Sequence, residues 1–315
     1  MTTRAQFPKE QSERGSFQRQ ESTFRGWVRQ DGSTEFPPEA GRYHLYVSLA
    51  CPWAHRTIIF RKLKRLEDVV GMTVVDPVRD ERGWAFRDGP GHSKDPVNGF
   101  AFLSEAYKAT APSFVDRVTV PVLWDRKNRR IVNNESSEII RMLDLEFGEF
   151  TNSKIIFYPD ELRDRIDEVN DFVYRTVNNG VYRAGFATQQ EAYELAVREL
   201  FDALDELEGR LANQRYLVGN QVTEADWRLF TTLVRFDPVY FGHFKCNIRR
   251  IVEYPNLFGY LRDLYQHDGV PETVNFDHIK RHYYVTHTSI NPTRIVPLGP
   301  DLDLGTPHER ARLSP

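Results

Sequence analysis

Apolar positions change their spacing along the chain, and the change divides it into regions. Residues 1–40 are rich in Gln, Arg, Ser and Glu, with few side chains able to anchor a core; they predict an arm, loose or draped over the body. From Tyr43 the stretch RYHLYVSL reads as a strand, and PWAHRTIIFRKLKRL as a helix with Pro52 in its first turn. VVGMTVVDPV is short and β-branched, as in a buried strand. A polar stretch bearing Gly and Pro, RDERGWAFRDGPGHSKDPVNG, then interrupts; it is too long for a simple connection and points to function. VPVLWD and RIVNN flank the turn RKNR as a hairpin, and ESSEIIRMLDLEF starts a helix.

Beyond residue 155 the period becomes helical. Leu162, Ile166, Val169, Val173 and Val177 recur at helical spacing, as do Leu200, Leu204, Leu207 and Leu211. ADWRLFTTLVRF is apolar nearly all round and predicts a central buried helix ending before Pro238. The pattern thus gives an arm (1–40), a thioredoxin-like α/β domain (41–150), an all-helical domain (155–285) and a tail (286–315).

Composition narrows the function classes. With 42 Lys+Arg against 45 Asp+Glu the formal charge is −3, and no basic block suited to phosphates stands out, so nucleic acid is not an expected partner. No apolar run approaches the roughly 18 residues of a membrane span. The N-terminal residues lack the apolar core of a secretory signal, and two cysteines cannot build a disulfide framework, so a reducing cytoplasm is expected.

Those cysteines differ in setting. A free cysteine is most often a small buried hydrophobe, and Cys246 in FGHFKCNIRR is read that way. Cys51 in SLACPWAHR stands instead where a strand gives way to a helix, beside first-turn N–H groups and the positive end of the helix dipole. Such positions favour the thiolate. Ala54 occupies the place of a resolving cysteine, so a mixed disulfide at Cys51 needs a second thiol from outside.

Two further stretches bear on the ligand. A proline entering a strand belongs at its start or edge; a cis bond between Val120 and Pro121 would expose the Val120 backbone to a peptide-like ligand, whereas a trans bond would be an ordinary strand start. Glu135 and Ser136 open a helix, either as a simple N-cap or as a clamp for a free amino-acid terminus, with N–H groups for its carboxylate and an acidic side chain for its ammonium. A lone cysteine, a backbone-pairing edge and an amino-acid clamp converge on glutathione.

Over roughly residues 22–295, CPWAHR, ERGWAF, RVTVPVLWD, NNESSEI, NNGVYRAGFA, VRFDPVY, HFKCN and HYYVTH occur in an order that resembles the xi-class glutathione transferases, the glutathionyl-hydroquinone reductases. TEADW matches the capping box of the wider fold, with Thr223 as N-cap and Asp226 three residues on. The resemblance implies a thioredoxin-like domain followed by a helical one, and a homodimer paired through the latter. It implies Cys51 as nucleophile, Trp84 as a glutathione contact, Arg117, Val118, Thr119 and Val120 along the glutathione backbone, and Glu135 and Ser136 at its γ-glutamyl end. Tyr182 corresponds to the proton donor and acceptor, and Tyr240 and Tyr283 to hydroxyls that favour the thiolate. The implied reaction reduces glutathionyl-hydroquinones through a Cys51–glutathione disulfide that a second glutathione, acting as co-substrate, releases as oxidised glutathione; no metal is expected.

His278 and His282, four apart, could face one way on a helix, but no acidic or thiol cluster completes a metal site. His55 is read as a surface or packing residue. An omega-like thiol transferase or dehydroascorbate reductase would use the same cysteine; the tyrosines and the GW insertion separate the two readings. A non-catalytic interaction protein on the same fold is the alternative of another class.

Overall fold

The computed structural model describes residues 7–313; the first six residues of the arm and the last two of the tail lie outside the described residues. The described residues divide into two compact units: residues 21–156 with 272–282, and residues 7–20 with 157–271 and 283–313.

The first unit is built on a four-stranded sheet, β1 Tyr43–Val47, β2 Gly71–Val74, β3 Val122–Asp125 and β4 Arg130–Asn133, in the order β2-β1-β3-β4. β1 pairs parallel with β2, Leu45 opposite Met72, and antiparallel with β3, Leu45 opposite Leu123. Every residue of β1 is buried, and its three polar rings are accommodated by hydrogen bonds, Tyr43 Oη donating to Pro37 O at 2.7 Å. His44 Nε2 lies 2.7 Å from Thr73 Oγ1, and burial pushes this imidazole down to about 4, so it is neutral. Tyr46 donates to Asp95 Oδ1 at 3.0 Å, which anchors the long insertion: Asp95 also accepts from the N–H groups of Val97, Asn98 and Phe100.

Helix α1, Pro52–Leu63, follows β1 and packs with α3, Ser136–Leu145. Between them in the chain lies α2, Leu103–Thr110, a helix after the insertion, for which the sequence pattern gives no expectation. Its start is held by Glu105, whose Oε1 accepts from the N–H groups of Ala101 and Phe102 at 2.9 Å. The buried Lys64 joins Asp144 at 2.9 Å.

The arm is draped, not loose. Residues 21–40 run beside β4, with Gly26 N donating to Val132 O at 2.8 Å and Asn134 N to Phe24 O at 3.0 Å, while Val28 and Phe36 enter the core.

The second unit is helical: α4 Arg163–Val173, α5 Gly180–Gly185, α6 Gln190–Leu211, α7 Glu224–Arg235, α8 Pro255–Tyr265 and the end of α9 Phe276–Thr286. Ile166, Val169, Val173 and Val177 are buried as their spacing requires, as are Leu200, Leu204, Leu207 and Leu211 of α6, whereas Leu162 is only half-buried. α7 is the buried centre. Thr223 N and Oγ1 both donate to Asp226 Oδ2, at 2.7 and 3.0 Å, and Asp226 Oδ1 accepts from Leu217 N and Tyr260 Oη. π-helical turns extend α4 (Tyr174–Asn178) and α7 (Phe236–Tyr240), the second carrying Pro238. No helix among the described residues is long and apolar enough to cross a membrane.

Candidate active site

The sheet unit carries the thiol and the residues expected on the glutathione side. Cys51 has the extended backbone of an N-cap, its carbonyl accepts from His55 N at 2.9 Å, and Pro52 supplies the first helical residue. Cys51 is partly exposed, and its thiol makes no capping hydrogen bond to the first turn. The thiol donates toward the Val120 carbonyl, with Sγ to O at 3.6 Å. The Val120–Pro121 bond is cis. Thus Cys51 and Val120, 69 residues apart, meet.

That edge is fixed by a residue the sequence did not single out. Tyr107 of α2 donates to Thr119 O at 2.8 Å and accepts from Thr119 N at 3.2 Å, and Asn134 Nδ2 reaches the same hydroxyl at 3.1 Å. Only the fold could reveal it, because Tyr107 lies in a helix that periodicity did not resolve. Arg117, Val118 and Thr119 are half-buried and Val120 is buried.

Glu135 is the N-cap of α3: Oε1 accepts from the N–H and the hydroxyl of Ser137, both at 2.9 Å, and Ser22 Oγ donates to Oε2 at 3.0 Å. Burial alone would raise this carboxyl, but those hydrogen bonds and the nearby Arg56 outweigh it and hold it below the ordinary glutamate value. Capping and ligand-holding are therefore compatible, since an ionised carboxylate has about four acceptor sites. Arg56, the last residue of CPWAHR, is buried and donates to Ser136 Oγ at 3.4 Å, tying α1 to the start of α3.

Trp84 is buried in the insertion, stacked on His282 with ring centroids 4.9 Å apart. His282 Nδ1 lies 2.8 Å from Pro77 O, and His278 Nε2 lies 2.7 Å from Pro90 O. These histidines thus hold a carbonyl just before the insertion and one within it. His55 is fully buried against Thr273 Oγ1 at 2.8 Å, a packing residue and not a surface one.

The three tyrosines belong to the helical unit and meet there. Tyr182 Oη lies 2.6 Å from Tyr283 Oη, which lies 3.0 Å from Tyr240 Oη. Tyr240 and Tyr283 are fully enclosed, and burial pushes both phenols well above 10, so they act as neutral hydroxyls. Tyr182 opens from α5 directly after the π-turn, where Asn178 Nδ2 binds Thr232 Oγ1 at 2.8 Å and Arg228 O at 3.0 Å on α7. Gly185 lets the Phe244 ring lie against α5, where any Cβ would collide with it. Cys246 is buried and its thiol is pushed up by desolvation, as expected of a structural cysteine.

Comparison with known proteins places the chain in a family. Residues 50–146 match the glutathione S-transferase N-terminal domain, and residues 190–263 the glutathione S-transferase C-terminal domain. The glutathionyl-hydroquinone reductase YqjG of Escherichia coli is 54% identical over 303 residues, covering 94% of this chain and 92% of the relative. Its glutathione-bound structure superposes with a TM-score of 0.89, over 91% of this chain and 96% of that one. The glutathionyl-hydroquinone reductase PcpF of Sphingobium chlorophenolicum is 51% identical, covering 91% of this chain and 90% of the relative. A xi-class transferase from Natrialba magadii is 55% identical with a TM-score of 0.91, covering 92% and 89% of the two chains. With a lone thiol on a thioredoxin-like sheet, a tyrosine cluster in a helical unit and this extent of likeness, the chain belongs to the glutathione transferases, as a member of the xi-class family of glutathionyl-hydroquinone reductases.

Proposed function

We propose that the chain reduces glutathionyl-hydroquinones to hydroquinones at the expense of glutathione, with Cys51 as nucleophile and Tyr182 as proton donor. The observation that carries the reading is the partly exposed Cys51 at a helix start, with Ala54 in the resolving position and the second cysteine, Cys246, buried. A thiol so placed can form a mixed disulfide and has no internal partner to close it.

In the substrate, sulfur is bonded to an aromatic carbon, so thiolate attack on that sulfur would expel a carbanion. Protonation of the carbon removes this obstacle, and a positioned phenol is a suitable acid. The carbon–sulfur pair then goes to the ring as the proton arrives, the Cys51–sulfur bond forms, and the hydroquinone departs. A second glutathione thiolate attacks the disulfide, leaves as oxidised glutathione and regenerates Cys51, and its proton restores the phenol. Tyr240 and Tyr283 are proposed to donate hydrogen bonds that favour the thiolate, consistent with phenols kept neutral by burial. Arg117, Val118, Thr119 and Val120 are proposed to line the tripeptide, Glu135 and Ser136 to hold its γ-glutamyl end, and Trp84 to wall the site from its seat on His282.

Single-turnover reaction with a glutathionyl-hydroquinone, followed by intact mass analysis, tests this. The expected result is hydroquinone release with one glutathione on Cys51, cleared by added glutathione. Ready turnover of glutathione mixed disulfides without thioether cleavage would instead establish an omega-like thiol transferase.

A further inference from the structure

We propose that Arg19, on the N-terminal strap, is a positioning residue for the proton transfer by Tyr182; the inference rests on the reading of Tyr182 as proton donor. The Arg19 guanidinium carbon lies 4.6 Å from the centroid of the Tyr182 ring, and its Nε donates to Asn179 Oδ1 at 3.0 Å. Asn179 immediately precedes α5, so the guanidinium is tied both to the ring of the tyrosine and to the turn that presents it.

The strap that delivers Arg19 is built for this placement. Residues 7–20 fold back on themselves, with Ser12 N to Ser16 O at 2.9 Å and Gln18 N to Glu10 O at 2.8 Å. They dock beside α5 through Gln11 Nε2 to Phe186 O at 2.9 Å and Thr188 N to Gly15 O at 3.0 Å. Phe17 is buried, with its ring centroid 5.2 Å from that of Phe186. Gly15 has φ +75°, and a Cβ there would crowd Thr188 and Gln189, so this turn is adapted to its seat.

Chemistry explains what a cation on this ring does. When Tyr182 gives its proton to the substrate carbon, negative charge appears on the phenol; a guanidinium over the ring face attracts that charge more strongly than it attracts the neutral ring. The interaction is thus stronger in the transition state than in the resting enzyme, which is the condition for acceleration. The second half-reaction, when started from preformed Cys51–glutathione disulfide with the Tyr182 phenol already protonated, forms no phenolate and gains nothing from Arg19.

The test compares wild type, Arg19→Gln and Arg19→Lys in the two half-reactions separately: single-turnover cleavage of a glutathionyl-hydroquinone, and reduction of preformed Cys51–glutathione disulfide by glutathione. Arg19→Gln is expected to slow cleavage about tenfold, equivalent to about 1.4 kcal/mol, with disulfide reduction unchanged, and Arg19→Lys to recover most of the loss. Unchanged cleavage in Arg19→Gln, equal slowing of both steps, or no rescue by lysine would each overturn the assignment. Failure of the wild type itself to cleave the thioether would overturn the parent reading, and this inference with it.

Discussion

Tyr283 is the hub of the hydroxyl cluster, so Tyr283→Phe is the most informative single change. The substitution removes one oxygen and keeps the ring, and with it the edge packing against Tyr240 at 5.6 Å between centroids. Two hydrogen bonds disappear, the 2.6 Å bond to Tyr182 and the 3.0 Å bond to Tyr240. At roughly 1 kcal/mol net for each, with a further contribution from weakened satisfaction of the buried Tyr240 hydroxyl, the expected loss is about 2–3 kcal/mol. Tyr240→Phe gives up the 3.0 Å bond and leaves the shorter one in place, for about 1 kcal/mol. The ordering is the sharp part of the prediction. Burial raises the Tyr283 and Tyr240 phenols above their ordinary value, so the neutral forms persist and the contribution is constant below that value, disappearing only as pH rises past it. Urea unfolding of both variants and wild type at pH 7, followed by intrinsic fluorescence, gives the comparison. A Tyr283→Phe loss under about 0.5 kcal/mol, or a larger loss in Tyr240→Phe, would refute the hub assignment.

Other outcomes follow from the sheet unit. Arg42 and Asp125 form a buried bidentate pair at 3.1 and 2.7 Å, so Asp125→Asn strands a guanidinium and should cost about 3 kcal/mol or more in urea unfolding. Burial acts to raise Asp125, but Arg42 and the N–H groups of Lys127 and Asn128 hold it below its ordinary value; its contribution is present above that value and lost as acid titration passes the depressed one, a dependence absent from Asp125→Asn. Glutathione affinity through Glu135 should likewise survive acidification to the ordinary glutamate range and fall below it, and Glu135→Gln should weaken binding about tenfold by calorimetry, about 1.4 kcal/mol. Native iodoacetamide labelling with peptide mapping should modify Cys51 and spare Cys246 until denaturant is added; labelling of native Cys246 would contradict its burial.

Much of this protein was written in local spacing. The succession of strand, helix, strand, hairpin and helix is encoded by apolar runs whose length and period differ, and β1, α1, β2, β3, β4 and α3 fall where those runs lie. The place of Cys51 at a helix start follows from Pro52, and the Thr223–Asp226 cap from a three-residue spacing, because both devices act within one turn. α2 escaped because eight residues carry only Leu103, Ala106 and Tyr107 as a buried face, too few to show a period. The arm escaped half-way: its anchors Phe17, Val28 and Phe36 are isolated apolar residues in a polar background, and each gains its burial only from surfaces elsewhere in the fold.

The site divides in the same way. Cys51, Glu135 and Ser136 were singled out by residue type and local position, and the tyrosines through family motifs. Their meeting was decided by tertiary structure alone: Tyr182 and Tyr283 stand 101 residues apart, Tyr240 and Tyr283 43 apart, and no local period links them. The turn of the Cys51 thiol toward Val120, the grip of Tyr107 on Thr119, and the approach of Arg19 to Tyr182 belong to the same class. A helix period or a cap is satisfied within one turn of backbone and can be read one residue at a time; a hydrogen bond across the fold exists only once the core has brought its two ends within about 3 Å.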